Sequence, residues 1–126
     1  MALTGYSVEI VESNKQLTAK ERIKVKDTTN AIRLDEATHG GAIDISPDTY
    51  AVLHIHNEKS DNIDYKNYVI VDKEGTKYVT GSESFWSSFM NIYEEMNGEQ
   101  EEWGIKVYRA PSKNYKGKDF ITCSIQ

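Results

Sequence analysis

Tyr68-Val69-Ile70-Val71-Asp72-Lys73-Glu74-Gly75-Thr76-Lys77-Tyr78-Val79-Thr80 runs, after one glycine, into Ser82-Glu83-Ser84-Phe85-Trp86-Ser87-Ser88-Phe89-Met90-Asn91-Ile92-Tyr93-Glu94-Glu95-Met96. The first half reads as a hairpin. Tyr68 to Val71 and Lys77 to Thr80 are β-prone, and Asp72-Lys73-Glu74-Gly75 supplies a tight turn in which Gly75 is free to take positive φ. The second half reads as a helix. Ser82 caps its N-terminus, Glu83 suits the dipole of the first turn, and Asn97-Gly98 offers a left-handed exit. A hairpin leading into an amphipathic helix predicts an α+β fold, a mainly antiparallel β-sheet with one principal helix near the C-terminal third.

Working outward, a period of two dominates the rest of the chain. Tyr6, Val8 and Ile10 alternate with Ser7 and Glu9, and Ile23 and Val25 alternate with Arg22, Lys24 and Lys26, so both segments are expected as strands. Thr29 to Thr38 carries a weak helical pattern ended by Gly40-Gly41. Tyr50 to His56 is a further strand, and Trp103 to Arg109 and Phe120 to Ile125 close the chain around the Ser112 to Gly117 loop. With no internal repeat and only two prolines, residues 1–126 are expected to form a single domain.

The net charge is -5, with 38% hydrophobic and 28% charged residues, which excludes disordered and membrane-embedded classes. No apolar run approaches the roughly 18 residues of a spanning helix. The Met1-Ala2-Leu3-Thr4-Gly5 start lacks a secretion pattern, and the lone Cys123 favours a reducing compartment, so a cytoplasmic location is expected. An acidic chain does not coat nucleic acid through total charge; any such binding belongs to one face.

The helix has more apolar surface than one sheet requires. Phe85, Phe89, Ile92 and Met96 form a core stripe, with Trp86, Met90 and Tyr93 beside it. At about 100° per residue the two stripes span roughly 160°, wider than the ~100° of an ordinary surface helix. The second stripe is either further core, a contact with another copy in a homo-oligomer, or a platform for a ligand base.

Against the acidic background, Arg109, Lys113, Lys116 and Lys118 stand with a single acid, Asp119. Such a local positive patch implies a small anion or a phosphate backbone. Arg109 shares strand parity with Trp103, Ile105 and Val107 and should face the buried side, where its guanidinium needs an internal carboxylate or an anionic ligand. Lys113, Asn114 and Lys118 lie in or beside the loop, as a phosphate cradle or a solvated hairpin tip. His54 and His56 share one face of a strand, but two ligands are too few for a metal centre unless His39 or Asp44 approaches; no metal is expected. Asp61-Asn62-Ile63-Asp64 lacks the glycine and glutamate of a calcium loop. Glu94 to Glu102 reads as a solubilising acidic loop. No glycine-rich phosphate cradle or nucleophile elbow is present, and Cys123 lies in an apolar strand, so neither an enzyme nor a cofactor is expected.

Thr80-Gly81-Ser82-Glu83-Ser84-Phe85-Trp86, Glu94-Glu95-Met96 and Ile105-Lys106-Val107-Tyr108-Arg109 with Pro111-Ser112-Lys113-Asn114 together resemble small proteins of Firmicutes phages and prophages. The likeness covers roughly residues 50–126 and the Val8-Glu9-Ile10-Val11-Glu12 start. Within that group the chain looks like the Thoeris anti-defence cyclic-nucleotide sponges. That resemblance implies a phage-encoded, oligomeric protein of the host cytoplasm that sequesters a cyclic ADP-ribose signal without degrading it. It further implies Phe85 or Trp86 stacking on adenine, with Asn91 and Arg109 at the ligand. Two alternatives stay open: a phage single-stranded DNA-binding protein, and a protein–protein inhibitor of a host defence complex.

Overall fold

A computed structural model describes residues 5–112 and 118–126. Their elements, in chain order, are β1 (Tyr6–Ser13), α1 (Ala19–Lys26), β2 (Ile32–Arg33), α2 (Leu34–Ala37), β3 (Ile43–Ile45), β4 (Pro47–Asn57), β5 (Asp64–Asp72), β6 (Lys77–Thr80), α3 (Glu83–Met96), β7 (Ile105–Pro111) and β8 (Asp119–Ile125), with a 3-10 turn at Thr38–Gly40. The fold is α+β, as the hairpin and helix predict, and α3 is the longest helix. Two compact units can be told apart: one holds the residues up to Ile32 together with Asp48–Gly81, the other Arg33–Pro47 together with Ser82–Gln126.

The first unit is built on a sheet ordered β1-β4-β5-β6-β2. β1 runs antiparallel to β4 from Tyr6↔Asn57 to Ser13↔Ala51, with a bulge between Ile10 and Glu12. β5 and β6 are the expected hairpin, in register from Tyr68↔Thr80 to Val71↔Lys77. Asp72 organises its turn, since Asp72 Oδ1 accepts from the backbone N–H groups of Glu74 (3.0 Å) and Thr76 (2.8 Å). Gly75 sits at φ +92°, a conformation that disfavours side chains, so this position requires glycine. On β4 the alternation places Ala51, Leu53 and Ile55 in one core with Val69, Val79, Leu17 and Val25.

Leu17 and Val25 flank the main departure from the sequence expectation. Ile23 and Val25 lie in the helix α1, not in a strand. Thr18 and Glu21 form a reciprocal capping box: Thr18 Oγ1 accepts from Glu21 N–H (3.2 Å) and Glu21 Oε1 from Thr18 N–H (2.9 Å). Two orphan donors are thereby satisfied, and Lys24 and Lys26 in the last turn suit the negative helix end. Val25 is the one buried residue of α1, while Ile23 stays 68% exposed. The helical pattern of Thr29 to Thr38 is likewise shortened, because Ile32 and Arg33 pair as β2 before α2 begins.

The second unit holds the sheet β3-β7-β8. β3 pairs with β7 from Ile43↔Val107 to Ile45↔Ile105, and β7 with β8 from Ile105↔Ile125 to Pro111↔Asp119, both antiparallel. α3 packs on β8, where Ser84 Oγ donates to the Ile121 carbonyl (3.1 Å) and the Ser88 and Thr122 hydroxyls meet at 2.9 Å. Ser82 caps α3 by accepting from Phe85 N–H (3.2 Å). Among the described residues no helix is long and apolar enough to cross a membrane.

Candidate functional site

The sequence places its site on α3 and on the run after Arg109. Phe85 is fully buried and Trp86 is 9% exposed. Both rings join Phe89, with centroids 6.1 Å and 5.1 Å away, and Phe89 in turn meets Tyr93 at 6.1 Å. The first half of the second stripe is therefore core, and neither ring lies open to stack on a base. Asn91 is exposed on the helix surface, and Lys118 is exposed beside the start of β8. Lys113 and Asn114 lie outside the described residues.

Arg109 has the parity expected of it, with Ile105 and Val107 fully buried on the same face of β7. Its guanidinium is held by its own chain. Nη1 donates to Asp119 Oδ1 (2.8 Å), Nε to Thr38 Oγ1 (3.1 Å), and Nη2 to the Asp35 carbonyl and to His39 Nε2 (3.2 Å). An arginine has five N–H donors, so four are engaged within this unit. The guanidinium only donates; His39 must therefore present an unprotonated Nε2. This is the internal carboxylate partner that the sequence left open beside an anionic ligand.

His54 and His56 do acquire a third partner, but it is neither His39 nor Asp44. Asp64, from β5, brings one carboxylate oxygen to His56 Nδ1 (2.8 Å) and His54 Nε2 (3.2 Å), with Glu58 4.0 Å from His56 Nε2. The bond from His56 is the main cause of an Asp64 carboxyl held below its usual value. Among the described residues no three His, Cys, Asp or Glu side chains are arranged to hold a metal ion. Cys123 is buried, which pushes its thiol up to about 12, far from the thiolate a nucleophile requires.

A concavity lies in the first unit, at residues the sequence did not single out. A cleft of about 470 Å³ opens between α1, the start of β4 and the β5–β6 turn. Leu17, Val25 and Val71 give it an apolar floor, and Lys15, Lys24, Lys73 and Lys77 surround that floor. Three acids accompany them: Glu21, Asp48 and Asp72. Glu21 is engaged in the capping box and Asp72 in the hairpin turn. Asp48 Oδ2 accepts from Thr49 Oγ1 (2.9 Å) and Lys15 Nζ (3.3 Å), and these contacts, the hydroxyl first, hold the Asp48 carboxyl below its usual value. Lys77 donates to the carbonyls of Lys24 and Asp27 (2.6 Å), tying the end of α1 to β6. A partial signal lay in the stretch from Lys15 to Lys26, which carries Lys15, Lys20, Arg22, Lys24 and Lys26 against Glu21 alone, although only Lys15 and Lys24 of these cations line the cleft.

No family model matches the chain, and no curated protein or solved structure matches it.

Proposed function

We propose that this protein binds and sequesters, without cleaving, a small phosphate-bearing ligand of the cyclic-nucleotide class. The observation that carries this reading is the lysine cleft: Lys15, Lys24, Lys73 and Lys77 around an apolar floor in a cavity of about 470 Å³. Small-molecule sites span roughly 300–1,000 Å³ and pair apolar walls with a few placed polar groups. Lysine ammonium groups from the segment before α1, α1 itself, the β5–β6 turn and β6 suit a phosphate, and Leu17, Val25 and Val71 suit the flat body of a base or its ribose edge.

The reading keeps the ligand class expected from the C-terminal third and moves its site. Arg109, Phe85 and Trp86 serve the second unit from within, while the lysines line a cavity, Lys15 and Lys77 among them also holding Asp48 and the end of α1. The resemblance to Thoeris anti-defence sponges points to the same chemistry. It makes a cyclic ADP-ribose-type immune signal the first ligand to try, and counter-defence by a phage-encoded protein the role. A binder needs no nucleophile or general base, and a thiol held near 12 supplies neither.

Calorimetric titration with cyclic ADP-ribose isomers, with a thymidine oligomer as comparison, tests the proposal. Saturable binding is expected, with the ligand recovered intact after heat denaturation. Recovery of cleaved ligand would make the protein an enzyme. Binding of the oligomer alone, falling steeply with salt, would make it a single-strand binder.

A further inference from the structure

We propose that Asp48 selects, within the lysine cleft, for ligands whose phosphate is carried on a hydroxylated sugar. The inference rests on the cleft being the binding site. A pocket bordered only by cations would accept any small anion of suitable size. This one includes an ionised carboxylate with one oxygen still open. Lys15 and Thr49 both donate to Asp48 Oδ2, at 3.3 Å and 2.9 Å, and among the described residues no group donates to Oδ1. The other acids of the cleft are held by backbone instead: Glu21 Oε1 accepts from Thr18 N–H in the helix cap, and Asp72 Oδ1 from the N–H groups of Glu74 and Thr76 in the hairpin turn, so both serve local structure.

The contacts at Oδ2 do two things for Oδ1. They hold the carboxyl below its ordinary value, so that Oδ1 is an acceptor and never a donor in neutral solution. They also restrain the group, because the Thr49 donor is itself buried, and the Asp48 backbone is separately held where its carbonyl accepts from Asn14 Nδ2 at 3.0 Å. A bare phosphate gains from the lysines and is repelled by Asp48. A ribose phosphate gains from both, since its vicinal hydroxyls donate to Oδ1 while its phosphate lies against the ammonium groups. The arrangement therefore discriminates by donors on the sugar, since a ligand that covers Oδ1 and displaces its water without offering a donor is penalised.

Isothermal titration of the full chain with AMP, 2′,3′-dideoxy-AMP and inorganic phosphate tests this. The expected result is AMP bound about tenfold more tightly than its dideoxy analogue, the scale of one hydrogen bond to a charged group. In Asp48→Ala that ratio falls to about one, and in Asp48→Asn, which keeps a neutral acceptor, it falls part of the way. Lys73→Ala is expected to weaken both nucleotides alike and preserve the ratio, which a merely structural Asp48 would also do on substitution. Equal affinity of the wild-type protein for AMP and dideoxy-AMP would overturn the role of Asp48 and leave the cleft standing as an anion site. Failure of all three probes to bind would overturn the cleft itself. Thermal melts of each variant show whether a lost ratio accompanies lost folding, and the ratio in Asp48→Asn decides the matter if Asp48→Ala unfolds.

Discussion

Two cationic regions can be compared directly, one in each compact unit. In the second unit, Arg109 projects from β7 into a ring of acceptors made by Asp119, Thr38, Asp35 and His39. In the first, Lys15, Lys24, Lys73 and Lys77 border a cavity whose floor is apolar. Both regions stand out as positive in an acidic chain. The difference is one of degree and of setting: the guanidinium has four of its donors engaged within its own unit, whereas of the lysines Lys15 is held by Asp48 and Lys77 by two carbonyls, and all four line a cavity. Charge along a sequence shows where cations are, and only the inventory of acceptors around each shows what they do.

The largest expected effect comes from the side of the comparison read as structural. Phe85→Ala should destabilise the protein by about 3–5 kcal/mol, the usual cost of emptying a fully buried phenylalanine site, in a denaturant titration. If instead the variant melts like the wild type and loses ligand, α3 is the platform and the comparison fails. Next in size, Arg109→Ala should cost about 2 kcal/mol of stability, since it removes the hydrogen bonds donated to Asp119, Thr38 and the Asp35 carbonyl. Affinity for nucleotide should stay within twofold of wild type; a larger loss would return the site to the second unit. On the other side, Lys24→Ala should lower affinity about tenfold at low salt, as loss of one charge-assisted contact to phosphate implies, with stability changed by less than about 0.5 kcal/mol.

The smallest effect concerns the His54–Asp64–His56 cluster. The Asp64 carboxyl is held low in the folded protein, chiefly by the hydrogen bond from His56. Its unfolded value is higher, so across the carboxylate range the unfolded chain binds more protons and stability rises with pH. The contribution is thus present above the ordinary aspartate range and is lost as pH falls through the lowered value. Asp64→Asn should therefore narrow the stability gap to wild type on acidification, measured as melting temperature against pH. A gap that stays constant with pH would remove the charge from the explanation.

Much of the fold was legible because local chemistry and pattern agreed. Asp72 and Gly75 specify the hairpin turn, and Ser82 specifies the start of α3. The Ile23/Val25 alternation misled, since charged residues between two β-branched ones fit a strand as well as a short exposed helix. The deciding signal was the Thr18-x-x-Glu21 capping box, which determines the backbone at 18 whatever the side chains after it prefer. The site was less legible for a different reason. Its lysines come from α1, from the segment before it, from the β5–β6 turn and from β6, and no spacing in the sequence foretells that these elements enclose one cleft. The third partner of the histidines was hidden in the same way, because Asp64 reaches them from a neighbouring strand. Arg109 shows the converse: parity predicted correctly that it faces inward, but not which acceptors await it there.

The way the chain divides has a consequence for its synthesis. The first unit is complete in sequence once Gly81 has left the ribosome, apart from the inserted Arg33–Pro47 stretch that belongs to the second. Ile43–Ile45 can find its strand partners only when Ile105–Val107 has been made. Domains tend to fold from the N-terminus as they emerge, and pairings between distant segments form late. A first unit that folds as it emerges would leave Ile43-Asp44-Ile45 without its strand partner until then. That interval is when an edge of this kind is open to wrong partners, and its length is set by the time taken to translate α3 and β7.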